Sequence, residues 1–304
     1  MDSREHNTGE ATDNEGGDSS GEFLISLPEA PQSEPANAAP DEVFPPPTPR
    51  NLRDFGSPLK WVDLFYVLAF YLVDGYVLTL AVSAVAAAYD HRAVREVLNG
   101  LEGPYGSVAV VVQALLSLST LAFLYAIVRM RTGEPFWPAV GWRRFRSMIS
   151  LSAIATRYAF LGAGLAVLVS LASNVVDNGK TLPIEGFFHN RQTVVLLILL
   201  GVLVAPLVEE TIFRGCIYPV IAGSFGIPVG VIVTGVLFGL AHAPQLSGGW
   251  GQIALLMCVG IVLTYIRARA GTVLASYFVH VAYNSCLFAA LILSTGGLRH
   301  LPTT

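Results

Sequence analysis

From Trp61 onward the chain is written in long apolar runs interrupted by short polar clusters, with no alternation of the kind a strand needs and no internal repeat. Three runs, 62–88, 106–130 and 152–176, are each long enough to cross a hydrocarbon core, which takes ~20 helical residues. A fourth block, 192–242, is continuous except for Pro206, the charged set Glu209, Glu210 and Arg214, and the breakers Pro219, Gly223, Gly226 and Pro228. It predicts two or three short helices, cut near 209–211 and 226–228. Two last runs, 252–266 and 272–293, are separated by Arg267, Arg269 and Gly271. Backbone groups in lipid must be satisfied within their own segment, so the pattern predicts an all-α polytopic transmembrane helical bundle. It has seven spans if 211–226 lies at the interface and eight if that segment crosses.

Composition sharpens this picture. The 304 residues are 53% hydrophobic and only 13% charged, far to the apolar side of a soluble domain. Charge is split: residues 1–56 hold 12 Asp and Glu against 3 Lys and Arg, so the formal −4 is an acidic tail joined to a basic, apolar body. That tail is rich in Ser, Gly and Pro and is expected to be disordered. The division expected is a tail over 1–56, N-terminal transmembrane helices over 57–180 and a catalytic transmembrane domain over 190–293. No dense basic face exists to neutralise phosphates, which excludes nucleic acid as the main partner. Cys216, Cys258 and Cys286 are odd in number and lie inside apolar runs, so they read as small buried residues.

Basic residues set orientation. Arg129, Arg131, Arg143, Arg144 and Arg146 crowd the connection after the second run, whereas the one before it has only Arg92 and Arg95. The former connection and the tail are expected on the cytoplasmic face, and eight spans would place both termini there, in an inner or endoplasmic-reticulum-type membrane.

An ionisable side chain within a span costs ~2.5–3.5 kcal/mol on insertion scales, so each one needs a partner or a function. Three clusters stand out: Glu209-Glu210-Thr211-Ile212-Phe213-Arg214, Phe238 to His242, and His280 to Asn284. Glu210 and Arg214 are four apart and can pair on one helix face, while Glu209 points ~100° away, free to face a cavity. A distorted helix would let Arg214 reach Glu209 instead. One carboxylate, two imidazoles and a carboxamide suffice to hydrolyse an amide: the acid takes a proton from water, and the other groups orient that water and stabilise an oxyanion. Alternatively Glu209, His242 and His280 bind a divalent metal such as zinc. No H-E-x-x-H occurs, which excludes an ordinary zincin helix.

The ordered triple E-E-x-x-x-R, F-x-x-x-H and H-x-x-x-N resembles the CPBP intramembrane proteases, the group containing the type II CAAX prenyl endopeptidase, or Ras-converting endopeptidase. The resemblance covers roughly 190–290. It implies an eight-helix membrane endopeptidase with a cavity open to the cytoplasmic side, cleaving near the C-terminus of a lipid-modified or membrane-bound protein. It assigns Glu209 as general base, His242 as its water-orienting partner, and His280 with Asn284 as the oxyanion site. Glu210, Arg214 and Phe238 would support them. The family has been described both as metalloproteases and as metal-independent glutamate proteases.

Other readings stand beside this one. The same bundle would serve a non-enzymatic scaffold or a peptide-toxin immunity protein, and the broken helices of 192–242 also suit a transporter. Asp63 and Asp74 return to nearly one helix face and read as bundle-facing groups, with Arg157 or Gln113 as partners. Gly223-Ser224-Phe225-Gly226 reads as a turn rather than a serine nucleophile.

Overall fold

The computed structural model describes residues 58–145, 150–176, 187–188, 191–246 and 249–298, within one compact unit, Pro49–Thr304. The acidic tail, Arg146 and the last six residues lie outside the described set. Helices account for nearly all of it and no strand occurs among the described residues: α1 Trp61–Asp90, α2 Val94–Asn99, α3 Gly106–Thr132, α4 Phe136–Ala139 and α5 Leu151–Val176, then α6 Arg191–Phe225, α7 Ile227–Ala241, α8 Trp250–Ala270 and α9 Val273–Ser294. Six of these, α1, α3, α5, α6, α8 and α9, are long and apolar enough to cross a membrane, and α7 is a shorter apolar helix. The chain is an integral membrane protein.

The cut expected near 209–211 is absent. One helix runs from Arg191 to Phe225, passing through two π-helical stretches, Leu200–Val204 and Glu210–Ile217. The charged set does not break it because Glu210 and Arg214 neutralise each other inside the protein, with no exposed surface on either side chain. Pro206 does not break it because the preceding turn is widened: the Ala205 N–H reaches back five residues to the Leu200 carbonyl. The second expected break is present. Gly226 takes φ +89°, where a side chain is disfavoured, and Pro228 opens α7.

This hairpin matters more than either helix alone. Glu209 lies 17 residues before Gly226 and His242 lies 16 after it, so antiparallel packing of α6 and α7 brings the two level. Helix α8 then packs on α7 through small residues. A Cβ at Gly239 would stand 2.7 Å from the Met257 backbone nitrogen, and one at Gly260 would stand 2.6 Å from the Gly235 carbonyl. Such close approach is how helices associate where lipid removes the hydrophobic drive. Gly162 gives α5 the same intimacy with α9.

Helices α1 and α3 are tied by polar pairs. Asp63 accepts from Arg131 Nη2 at 2.7 Å and caps its own helix by accepting from the Lys60 N–H at 2.9 Å; Asp74 accepts from the Ser119 hydroxyl. The partners are therefore Arg131 and Ser119, in place of Arg157 and Gln113, because the antiparallel neighbour of α1 brings those groups alongside. Cys216 is buried, but Cys258 is exposed and Cys286 only partly covered, since α8 and α9 turn part of their surface outward. Of the expected turn Gly223-Ser224-Phe225-Gly226, the first three residues stay helical and only Gly226 breaks the helix; Ser224, in the last turn of α6, accepts from Trp61 Nε1 at 3.0 Å.

The segment between α3 and α5 reaches back over the bundle. Trp142 Nε1 donates to Thr211 Oγ1 at 3.0 Å, the Val273 N–H donates to the Gly141 carbonyl at 2.9 Å, and Thr272 Oγ1 donates to the Arg143 carbonyl at 2.7 Å. The α8–α9 turn thus lies beside the end of α3.

Candidate functional site

The two glutamates of α6 are neighbours in sequence and opposites in environment. Glu210 has no exposed side-chain surface; Glu209 keeps 25% of its own. Glu210 Oε1 meets Arg214 Nη1 at 3.0 Å and His280 Nδ1 at 3.0 Å. Despite the distorted helix, Arg214 pairs with Glu210. Its Nη2 also donates to the Gly260 carbonyl at 3.1 Å, and its guanidinium lies 4.5 Å from the centroid of the Phe238 ring. Phe238 therefore acts as a floor for the buried cation, a desolvated arrangement in which the ring quadrupole counts.

Both imidazoles are oriented through Nδ1. A carboxylate only accepts, so the His280 Nδ1–H donates to Glu210. A carbonyl likewise only accepts, so the His242 Nδ1–H donates to the Phe238 carbonyl at 2.8 Å. Each ring is left with Nε2 turned to Glu209, at 3.9 Å for His242 and 3.7 Å for His280. These gaps are too long for direct hydrogen bonds and suit a bridging water.

Asn284 stands one turn beyond His280 on α9. Its Nδ2 donates to the Gly201 carbonyl at 2.7 Å. The widened turn explains that bond: in the five-residue register Gly201 would be served by the N–H of residue 206, which is proline and has none. One amide hydrogen of Asn284 thus replaces the bond that Pro206 removes, and the other remains for the cavity.

Glu209, His242, His280 and Asn284 all line one cavity of about 340 Å³. Its remaining wall is mostly apolar, with Leu200, Leu287 and Phe288 among the residues, but two carboxamides, Gln113 of α3 and Gln245 beyond α7, also face it. All seven residues anticipated from the motifs are assembled here: four on the cavity, and Glu210 and Arg214 behind, with Phe238 both lining the wall and supporting Arg214. Neither carboxamide was anticipated as part of the site. A glutamine inside the apolar run 106–130 was the one available signal for Gln113. The metal alternative needs Glu209, His242 and His280 as ligands; among the described residues no group of three or more His, Cys, Asp or Glu side chains is placed to hold an ion, so these residues as arranged do not fit one.

The fold and its site define an integral membrane protein with a polar centre sunk in an apolar helical bundle. Residues 191–286 match the family model described as Rce1-like, type II CAAX prenyl endopeptidase, so this stretch of the chain is similar to that family. The match spans α6 to α9 and leaves α1 to α5 outside it. No curated protein and no solved structure matches the chain.

Proposed function

We propose that this chain is an intramembrane endopeptidase that hydrolyses a peptide bond of a membrane-associated, lipid-anchored substrate with a water activated by Glu209. The observation that carries this is the convergence of two imidazole Nε2 atoms on one partly exposed carboxylate, at 3.9 and 3.7 Å. Glu209 takes a proton from the water as its oxygen bonds to the substrate carbonyl carbon. His242, held by the Phe238 carbonyl, offers the Nε2 lone pair that fixes the second water hydrogen. Negative charge gathers on the carbonyl oxygen, where the free amide hydrogen of Asn284 and the His280 ring would meet it. The carbon–nitrogen bond then breaks, and the departing amine takes the proton from Glu209.

The apolar wall supports a lipid-modified substrate, since an alkyl or prenyl chain beside the scissile bond would meet Leu200, Leu287 and Phe288 rather than water. The test is cleavage of a fluorogenic farnesylated peptide by the purified chain and by Glu209→Gln, Glu209→Ala and His280→Ala. Loss of at least 10³-fold in each, with insertion and folding retained, is the expected result; full activity in any one removes that residue from the mechanism. A scaffold would show no cleavage to lose.

A further inference from the structure

The helix ends fall into two sets. The Asp63–Arg131 pair puts the start of α1 beside the end of α3, and Trp61 with Ser224 adds the end of α6. The bonds from Val273 to Gly141 and from Thr272 to Arg143 add the end of α8 and the start of α9. This end carries Arg129, Arg131, Arg143, Arg144, Arg267 and Arg269. The opposite end gathers the starts of α3, α6 and α8, as the contacts of Gly106 with Thr193 and of Gly251 with Val176 at the end of α5 show. Among the described residues its ends and connections carry only Arg92, Arg95 and Arg191 as Lys or Arg. By the bias of basic residues toward the cytoplasm, the first end is the cytoplasmic one. Arg267 and Arg269, which an eight-span order would have turned outward, then obey the same bias. Helix α9 runs away from that face, so its end lies on the other side of the membrane from the start of α1.

The cavity runs the other way. Its floor is the buried set His280, Phe238, Val259 and Tyr283, backed on the basic side by the Glu210–Arg214 pair. From there it extends past Gln113, seven residues into α3, and Leu197, six residues into α6, to Leu291 near the end of α9 and the exposed Gln245. Every one of these lies toward the basic-poor end.

We propose that the site takes its substrate from the non-cytoplasmic face: a peptide anchored in, or lying on, the outer leaflet, whose backbone enters past Gln245 and Gln113. This rests on the protease reading for what happens to the peptide, but not for where the mouth lies. It differs from the cytoplasmic opening that the motif resemblance implies.

The experiment is labelling with a membrane-impermeant maleimide of the full chain expressed in intact cells, and of the same cells after permeabilisation. The unaltered chain, with its own three cysteines, gives the baseline. Gln245→Cys should label in intact cells at least tenfold above baseline, and Arg269→Cys only after permeabilisation. Labelling of both from one side, the reverse pattern, or a Gln245→Cys that labels from neither side overturns the proposal. A second arm adds a peptide with an impermeant dye to sealed vesicles of each orientation, with Glu209→Gln as control. Cleavage confined to right-side-out vesicles supports the proposal, and cleavage confined to inverted ones overturns it. Absence of cleavage in both counts against the protease reading alone, and the labelling pattern still decides the face.

Discussion

His280 Nδ1 lies 3.0 Å from Glu210 Oε1, a bond between side chains 70 residues apart that fixes the ring whose other nitrogen faces Glu209. Through it, a residue with no access to solvent orients one that borders the cavity. The two adjacent glutamates are thereby given different work, and they should fail differently.

Substituting Glu210→Gln leaves the Arg214 cation fully buried without its counter-charge, a defect worth ~3–5 kcal/mol in comparable buried pairs. Thermal unfolding in detergent should show a clear fall in midpoint, with peptide cleavage also lost. Glu209→Gln should lose cleavage to the same degree with its midpoint nearly unchanged, because Glu209 is partly solvated and makes no short bond. Equal midpoint losses in the two variants would refute this division.

Asn284 and Pro206 should be coupled. Asn284→Ala strands the part-buried Gly201 carbonyl, at a cost of up to ~1–3 kcal/mol, the range for an acceptor left unsatisfied out of water. Pro206→Ala in the same chain restores a backbone N–H in reach of that carbonyl, so the double variant should regain at least half of the lost stability. It should not regain cleavage, since the cavity-facing amide hydrogen is still missing. A double-mutant cycle of unfolding midpoints measures the coupling, and additivity of the two changes would argue against it.

Gly239→Ala drives a Cβ into the backbone of α8 at Met257 and should separate α7 from α8, costing ~1–3 kcal/mol and displacing His242 three residues on. Cleavage should fall at least tenfold. Gly223→Ala is the matched control: nothing lies within 4 Å of its Cβ, and alanine in a helix is favoured by ~0.5–1 kcal/mol, so stability should hold or rise. A Gly239→Ala chain as stable and active as the parent would show that α7 and α8 tolerate a wider spacing.

Gln113 supplies a donor and an acceptor to the cavity, where its side chain also meets the Ser117 hydroxyl at 3.5 Å and hydrogen-bonds with Tyr71. A peptide unit passing it leaves water and needs such a partner. Gln113→Leu should raise KM for a cleaved peptide about tenfold while kcat changes less than threefold, the pattern of lost uniform binding. A kcat-only effect would instead place Gln113 among groups acting in the transition state.

The all-helical membrane bundle was legible in the chain itself, because the length of an apolar run and the demand for internal backbone bonding are local properties. So were the residues of the site: a charge in lipid is expensive wherever the chain goes, which marks Glu209, Glu210, Arg214, His242 and His280 before any contact is known. The three-motif order did the same for Asn284 and Phe238. Only the tertiary structure decided that α6 passes unbroken through its charged set, since that depends on Arg214 and His280 arriving at Glu210 from positions 4 and 70 residues away. It also decided that Asn284 replaces the bond Pro206 removes, that Gln113 joins the cavity from a helix outside the family match, and which end of the bundle the cavity faces. Each of these is a meeting of distant segments, fixed by the Gly226 hairpin and the packing of antiparallel helices, and periodicity along a single chain carries no record of which faces will meet.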